Sequence, residues 1–322
     1  MPPRSKLQLL LTSARLANLP SVVSNVWLGV ALGMEVGKQW RSAASPWPAA
    51  ALLGSAGCLL YVSGNFLNDW YDRHWDGRHR PERALPQAAF TPAYYLGLAI
   101  ACGTVAVALA GCVGAGSALV ALAIGLCIVS YTRWHKRIPA SILLVAMCRA
   151  LLPLLFFIEW PLSCAKPDLT HALAQTRMEV AVIAPHALAI LCYVAGLSWV
   201  ARGEALAPAS AAPSWLARCL LGLAGLLMAG GYAVKLPHCG LLGLLPLAGW
   251  LALCATRFGK TPRAQVSALL AGLPLLDWVA LLPLALSLLT DGQPTGFSLT
   301  CLLLPPLAFL AGRGLQRLAA AT

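Results

Sequence analysis

Three oxygen-bearing side chains recur at helical spacing in one short stretch. Residues 64–77 read Gly-Asn-Phe-Leu-Asn-Asp-Trp-Tyr-Asp-Arg-His-Trp-Asp-Gly, and Asn68, Asp72 and Asp76 return every fourth position. On an α-helix this spacing stacks them on one face, a turn apart. Asn65 and Asp69 extend the stripe. Carboxylates in a row repel one another unless a cation sits among them. The donors are hard oxygens, with no Cys and no obvious His ligand, which favours Mg²⁺ over zinc or copper. Mg²⁺ keeps several waters and binds through a few carboxylates plus substrate phosphates, so the stripe reads as half of a diphosphate site. The basic half follows in Arg78-His79-Arg80-Pro81-Glu82-Arg83 and in Tyr131-Thr132-Arg133-Trp134-His135-Lys136-Arg137. Arg offers phosphate a planar fork and Lys a point charge. For Arg73, Arg257, Lys260 and Arg263 a plainer reading is preferred, as loop anchors at a membrane surface.

The elements that carry these residues are apolar. Of 322 residues 59% are hydrophobic and 11% charged, and the mean hydropathy is +0.74. Soluble domains carry roughly 25% charged residues, so a soluble enzyme, a disordered chain and a disulfide-stapled module are all excluded. No long alternation of polarity supports an outer-membrane barrel. Helices of about 20 apolar residues are needed to cross hydrocarbon. Such runs lie near 16–34, 46–67, 92–111, 115–132, 138–159, 180–200, 214–234, 238–256, 265–290 and 297–317, with a weak break at Gly111–Ser117. The expected fold is one all-α transmembrane bundle of nine or ten spans covering residues 1–322.

With the N-terminus in the cytoplasm, 17 of the 23 Lys and Arg fall inside, five fall outside and Arg149 falls within a span. This bias supports the orientation. It also accounts for the formal charge of +12 through loop anchoring and anionic lipid, with no nucleic acid implied. The eleven Cys show no CxxC pattern and read as small apolar packers. Arg149 and Asp277 are intramembrane charges that could pair across helices, and His186 could line a cavity. Trp70, Tyr71, Trp75, Tyr131 and Trp134 are candidates either to stabilise a cation or to form an interfacial belt.

The pattern Asn68-Asp69-x-x-Asp72-x-x-x-Asp76, followed by Arg80-Pro81-Glu82-Arg83-x-Leu85-Pro86, resembles the first aspartate-rich motif of the UbiA-type intramembrane prenyltransferases. Tyr131…Lys136-Arg137 looks like that family's tyrosine-lysine-arginine loop, and Arg15-x-x-Asn18-x-Pro20 is weakly similar to its N-terminal signature. The resemblance implies a prenyltransferase in which Mg²⁺ grips a polyprenyl diphosphate. Ionisation then yields an allylic cation that a small acceptor, often aromatic, attacks. It implies catalytic roles for Asn68, Asp72, Asp76 and Lys136, and metal ligation by Asn68, Asp72, Asp76 and Glu204. It further implies diphosphate binding by Arg80, Arg83, Tyr131, Arg137 and Arg202, and an acceptor cavity formed with Arg15, Asn18, Asn25 and Tyr193. Multi-pass residence in a bacterial inner membrane, with the site on the cytoplasmic side, is the matching expectation.

The second acidic motif of the family is reduced here to Arg202-Gly203-Glu204, which looks like the EboC-like branch. That reduction motivates an alternative, an isoprenoid- or lipid-binding or transport protein of the same fold with diminished catalysis. A CDP-alcohol phosphotransferase is disfavoured, because Asp76-Gly77 follows the acidic stripe instead of opening it. Tail length, acceptor identity, metal count and oligomeric state are not encoded in these patterns.

Overall fold

The computed structural model describes residues 5–37, 45–159, 169–206, 215–230, 237–290 and 295–318, with side chains for all of these except 169–176, 178, 203–206, 237–240 and 318. Everything described is helix or turn, and no strand occurs among the described residues. In chain order the helices are α1 (Lys6–Ser13), α2 (Leu19–Gly37), α3 (Trp47–His79), α4 (Pro92–Val113), α5 (Ala115–Trp134), α6 (Ile142–Ala150), α7 (Leu154–Phe157), α8 (Leu169–Leu206), α9 (Trp215–Gly230), α10 (Pro237–Thr256), α11 (Pro262–Ala271), α12 (Leu273–Thr290) and α13 (Gly296–Leu318).

Local chemistry sets several ends. Ser5 and Gln8 form a reciprocal capping box at the start of α1. Thr91 before Pro92 and Thr261 before Pro262 each accept a backbone N–H, with proline in the first turn, where its missing N–H costs nothing. The expected weak break near Gly111–Ser117 is real: α4 stops at Val113 and α5 starts at Ala115, with Gly114 between. Glu159 reaches across to receive the backbone N–H of Ser117 at 3.2 Å, satisfying a donor that the α5 N-terminus would leave open.

Seven helices are long and apolar enough to cross a membrane: Leu16–Val36, Trp47–His79, Pro92–Val113, Ala115–Trp134, Glu179–Arg202, Pro262–Thr290 and Gly296–Arg317. Three shorter apolar helices, Pro139–Ala150, Trp215–Gly230 and Leu241–Thr256, occupy the other expected positions. The ten expected runs thus correspond to ten apolar helical stretches, seven of them of spanning length among the described residues. The expected run 138–159 fails as one rod because α6 ends and α7 restarts around Pro153, where a ring without an N–H interrupts the hydrogen-bond ladder. The stripe-bearing run does the opposite: α3 continues twelve residues past its expected end at 67.

Helix α2 lies at the centre, packed by α3, α7, α12 and α13. In their most apolar windows, 72% of Leu16–Val36 and 78% of Pro262–Thr290 are buried, against 17% of Pro92–Val113. Inner helices buried all round and outer helices with bare apolar faces are what a lipid-embedded bundle requires. Close approach at the centre depends on Gly29, since a Cβ there would collide with the carbonyl of Pro153.

Candidate active site

At 33 residues, α3 is about 50 Å long, well beyond the ~30 Å hydrocarbon core. Its C-terminal third can therefore be polar while its N-terminal part remains apolar. Asn65, just before that third, and Asp69, Asp72 and Asp76 within it are all buried on the inner face, so the helical stripe read from spacing is present. Asn68, Asp72 and Asp76 line one cavity of ≈ 620 Å³ between α3, α5, α6, α8 and α11.

Cations meet each carboxylate. Lys136 Nζ lies 2.6 Å from Asp72 Oδ1, and His135 Nε2 lies 3.3 Å from Asp72 Oδ2. The Lys136 contact lies off the line of a hydrogen bond. At this separation it is an ion pair whatever its angle. Arg83 Nη1 donates to Asp76 Oδ2 at 2.8 Å and to Asp69 Oδ1 at 3.1 Å. Arg15 donates to Asn65 Oδ1 at 3.1 Å and stands 3.9 Å from Asp69. Its backbone is left-handed, with φ 49°, a conformation costing a non-glycine residue about 1–2 kcal/mol. That kink separates α1 from the turn Leu16–Asn18 and swings the guanidinium over α3. Trp75 forms the rim, with Lys136 Nζ 4.6 Å and Arg80 Cζ 5.7 Å from its ring centre. Arg202, on α8, donates to the His135 carbonyl at 3.5 Å.

Six cations (Arg15, Arg80, Arg83, Lys136, Arg149, Arg202) and two carboxylates (Asp72, Asp76) line the cavity. A wall with this surplus attracts a polyanion and focuses its field on it. The remaining wall is apolar and includes Gly57, Leu60, Ile124, Val194, Leu197 and Leu273. One end thus suits a phosphate headgroup and the rest a hydrocarbon tail.

Of the residues proposed from sequence, Arg15, Asn18, Asn68, Asp72, Asp76, Arg80, Arg83, Tyr131, Lys136 and Arg202 are brought to this cavity. Three are not. Tyr193 is fully buried and donates its hydroxyl to the Leu269 carbonyl at 2.8 Å. It braces the end of α11, adding a second donor to a carbonyl that also receives the Gly272 N–H. Asn25 is sequestered behind the cavity by Asp277, to which its amide donates at 3.0 and 2.9 Å. Arg137 is exposed beyond the rim. His186 is buried against its own helix, its Nδ1 2.7 Å from the Val182 carbonyl, and does not line the cavity. The side chain of Glu204 lies outside the described residues. Among the aromatic candidates Trp75 and Tyr131 reach the cavity, whereas Trp70, Tyr71 and Trp134 do not. His135, Asn65 and Tyr61 also line it and were not singled out as site residues. His135 precedes Lys136 in the same turn and faces the same acid, a pairing set by how the helices meet.

The UbiA prenyltransferase family model matches residues 26–271. The chain belongs to that family. Two solved UbiA-fold structures resemble it. One, described as the apo structure of a UbiA homologue from Aeropyrum pernix K1, has a TM-score of 0.55 at 16% identity, covering 93% of this chain and 98% of that one. The other comes from work on digeranylgeranylglyceryl phosphate synthase in membranes and has a TM-score of 0.54 at 14% identity, covering 92% and 99%. No curated protein sequence matches the chain. Membership and the seven apolar helices make this UbiA-family chain an integral membrane protein.

Proposed function

We propose that this UbiA-family protein transfers a prenyl group from a polyprenyl diphosphate to a small, aromatic acceptor. The observation that carries the reading is the single cavity that joins the Asn68/Asp72/Asp76 stripe and its cations to an apolar wall. The diphosphate would sit among Arg80, Arg83, Lys136 and Arg202. As the C1–O bond breaks, its electron pair leaves with the diphosphate, and these fixed cations stabilise the growing charge. The apolar wall keeps water from the allylic cation, and Trp75 and Tyr131 present ring faces to it. The acceptor attacks C1 and then loses a proton.

The donor set fits Mg²⁺. Asn68 Oδ1 is buried with no hydrogen-bond partner among the described residues, and it shares a helical face with two carboxylates. No group of three His, Cys, Asp or Glu side chains among the described residues could hold a metal alone. Mg²⁺ is commonly shared between a few protein oxygens and substrate phosphates. Asn68, Asp72 and Asp76 would hold it, and when bound it would supply further neutralisation of the leaving diphosphate. Lys136, with its side chain 36% exposed, is free to swing from Asp72 toward a phosphate. The same end of the bundle carries Arg73, Arg78, Arg133 and Arg137, which supports a site facing the cytoplasm.

The test is diphosphate release from farnesyl or geranylgeranyl diphosphate by membranes with a panel of aromatic acceptors. Asp72→Ala should lower turnover by about 10²-fold or more, the scale for losing a preorganised electrostatic contact. Chelation with EDTA should abolish turnover and added Mg²⁺ restore it. Equal turnover in variant and wild type would refute the proposal. A binding protein of the same fold is favoured by one fact, that Asp72 and Asp76 are already neutralised by Lys136 and Arg83. Tight prenyl diphosphate binding without turnover across the panel would select it.

A further inference from the structure

The mouth end of the bundle carries a second group of cations, away from the cavity. Arg257 and Lys260, in the loop between α10 and α11, and Arg317, near the end of α13, are exposed; Arg313, one turn before Arg317, is half-buried. None of the four lines the cavity, and none pairs with a carboxylate among the described residues. Residues 205–322 contain two acids, Asp277 and Asp291. Asp277 is fully buried against Ser24 and Asn25, and Asp291 precedes α13, whose other end carries the arginines. Cations gathered without acids repel one another unless an anion joins them.

The corner is held in shape. Arg313 Cζ stands 5.2 Å from the centre of the Trp250 ring and 4.9 Å from that of Phe258, so two rings position the guanidinium. Phe258 follows Arg257 and precedes Lys260 by two residues, which brings that loop to Arg313. Trp250 Nε1 donates to the Ala268 carbonyl at 2.9 Å and Gln316 Nε2 to the Ser267 carbonyl at 2.8 Å, tying α10 and α13 to α11. Arg313 Nη1 donates to Gln316 Oε1 at 2.7 Å, and the rest of its fork is left for a ligand. The depth is that of lipid headgroups. From Gly296 the helix rises about 26 Å to Arg313 and about 32 Å to Arg317, bracketing the ~30 Å hydrocarbon core. Below them Leu303, Leu307 and Leu310 are exposed on α13.

We propose that this corner binds the phosphodiester of an anionic glycerophospholipid, with an acyl chain along the bare leucines of α13. Arg313 offers the phosphate its fork, and Arg257, Lys260 and Arg317 supply the surrounding field, as basic pockets between membrane helices do for anionic headgroups. A choline headgroup would bring one more cation into the corner. Free phosphate or an acidic soluble protein would leave the leucines uncovered. The site is separate from the diphosphate cavity and does not depend on the reaction proposed there.

The experiment titrates the full-length protein in detergent with phosphatidylglycerol and with phosphatidylcholine. Retained lipid is counted by native mass spectrometry and the melting temperature is followed in parallel. Wild type should hold one phosphatidylglycerol about fivefold or more tightly than phosphatidylcholine and melt higher with it. Arg313→Gln should weaken phosphatidylglycerol about fivefold, the scale for one cation beside an anionic headgroup. The double variant Arg257→Gln/Lys260→Gln, changed only at exposed positions, should do at least as much and covers the case in which Arg313→Gln does not fold. Arg78→Gln removes an exposed charge elsewhere at the same end and should leave retention unchanged. Inorganic phosphate and a polyglutamate peptide should not displace the lipid. Equal retention of the two lipids by wild type, equal losses in Arg78→Gln and the corner variants, or displacement by phosphate or the peptide would each overturn the proposal.

Discussion

At the scale of single residues, Arg83 is the most heavily used side chain at the mouth. One nitrogen of its guanidinium serves Asp69 and Asp76, which are 7% and 2% exposed. Removing one partner from such a cluster strands charge in a poorly solvated place, and the cost of about 3–5 kcal/mol exceeds what the pair itself contributes. Arg83→Met should therefore lower the melting temperature in detergent by several degrees as well as weaken pyrophosphate binding. Arg83→Met combined with Asp76→Asn should recover part of the stability and none of the binding. A melting temperature unchanged by Arg83→Met would show that the cluster is solvated and that Arg83 serves the substrate alone. The logic of Asn68, Asp72 and Asp76 was legible in sequence because side chains four apart on a helix must share a face. The partners were less so: nothing local says that Asp72 would face His135 and Lys136, or that Asp76 would face Arg83. Such pairing is decided by how α3 meets α5 and the turn after His79.

At the scale of elements, hydropathy located the apolar runs but not their joints. The Gly114 joint was visible as a break, since a glycine among small residues marks the only weak point in a long uncharged run. Pro153 was equally visible as a residue, yet reading 138–159 as one span gave length more weight than the missing N–H. Hydropathy ended this run at 67, whereas the spacing of Asn68, Asp72 and Asp76 already carried helix through Asp76, so the two signals had to be joined to give α3 its full length. Tyr193 was misread as a cavity residue for another reason. It is an intramembrane polar side chain, but its partner is the Leu269 carbonyl at the α11–α12 joint, which no sequence period reveals. The tightest joint carries its own test. A Cβ at Gly29 would overlap the Pro153 backbone, whereas one at Gly54 meets nothing within 4 Å. Gly29→Ala should cost about 1–3 kcal/mol, the usual range for overpacking, and reduce yield and melting temperature. Gly54→Ala should change neither.

At the scale of the whole molecule, one compartment has to serve two solvents. Its mouth holds ion pairs at the end of α3, and its interior is walled by apolar side chains from α3, α5, α8 and α12. A substrate that spans both must place its charged head at the first and its tail in the second, so reducing the interior should act on the tail alone. Leu197 lies on α8 in the apolar wall and is 5% exposed. Under the proposed function the diphosphate would gain its binding energy from cations at the mouth, whereas each tail methylene would contribute about 0.8 kcal/mol on leaving water. Leu197→Trp should therefore leave pyrophosphate affinity within about twofold, while turnover falls more for a twenty-carbon donor than for a ten-carbon one. Two or three displaced methylenes would correspond to a selectivity change of roughly tenfold or more. Competition assays with paired donors on purified protein read this directly. Equal loss for both chain lengths would mean that the tail leaves the cavity by another path, between outer helices and into the lipid.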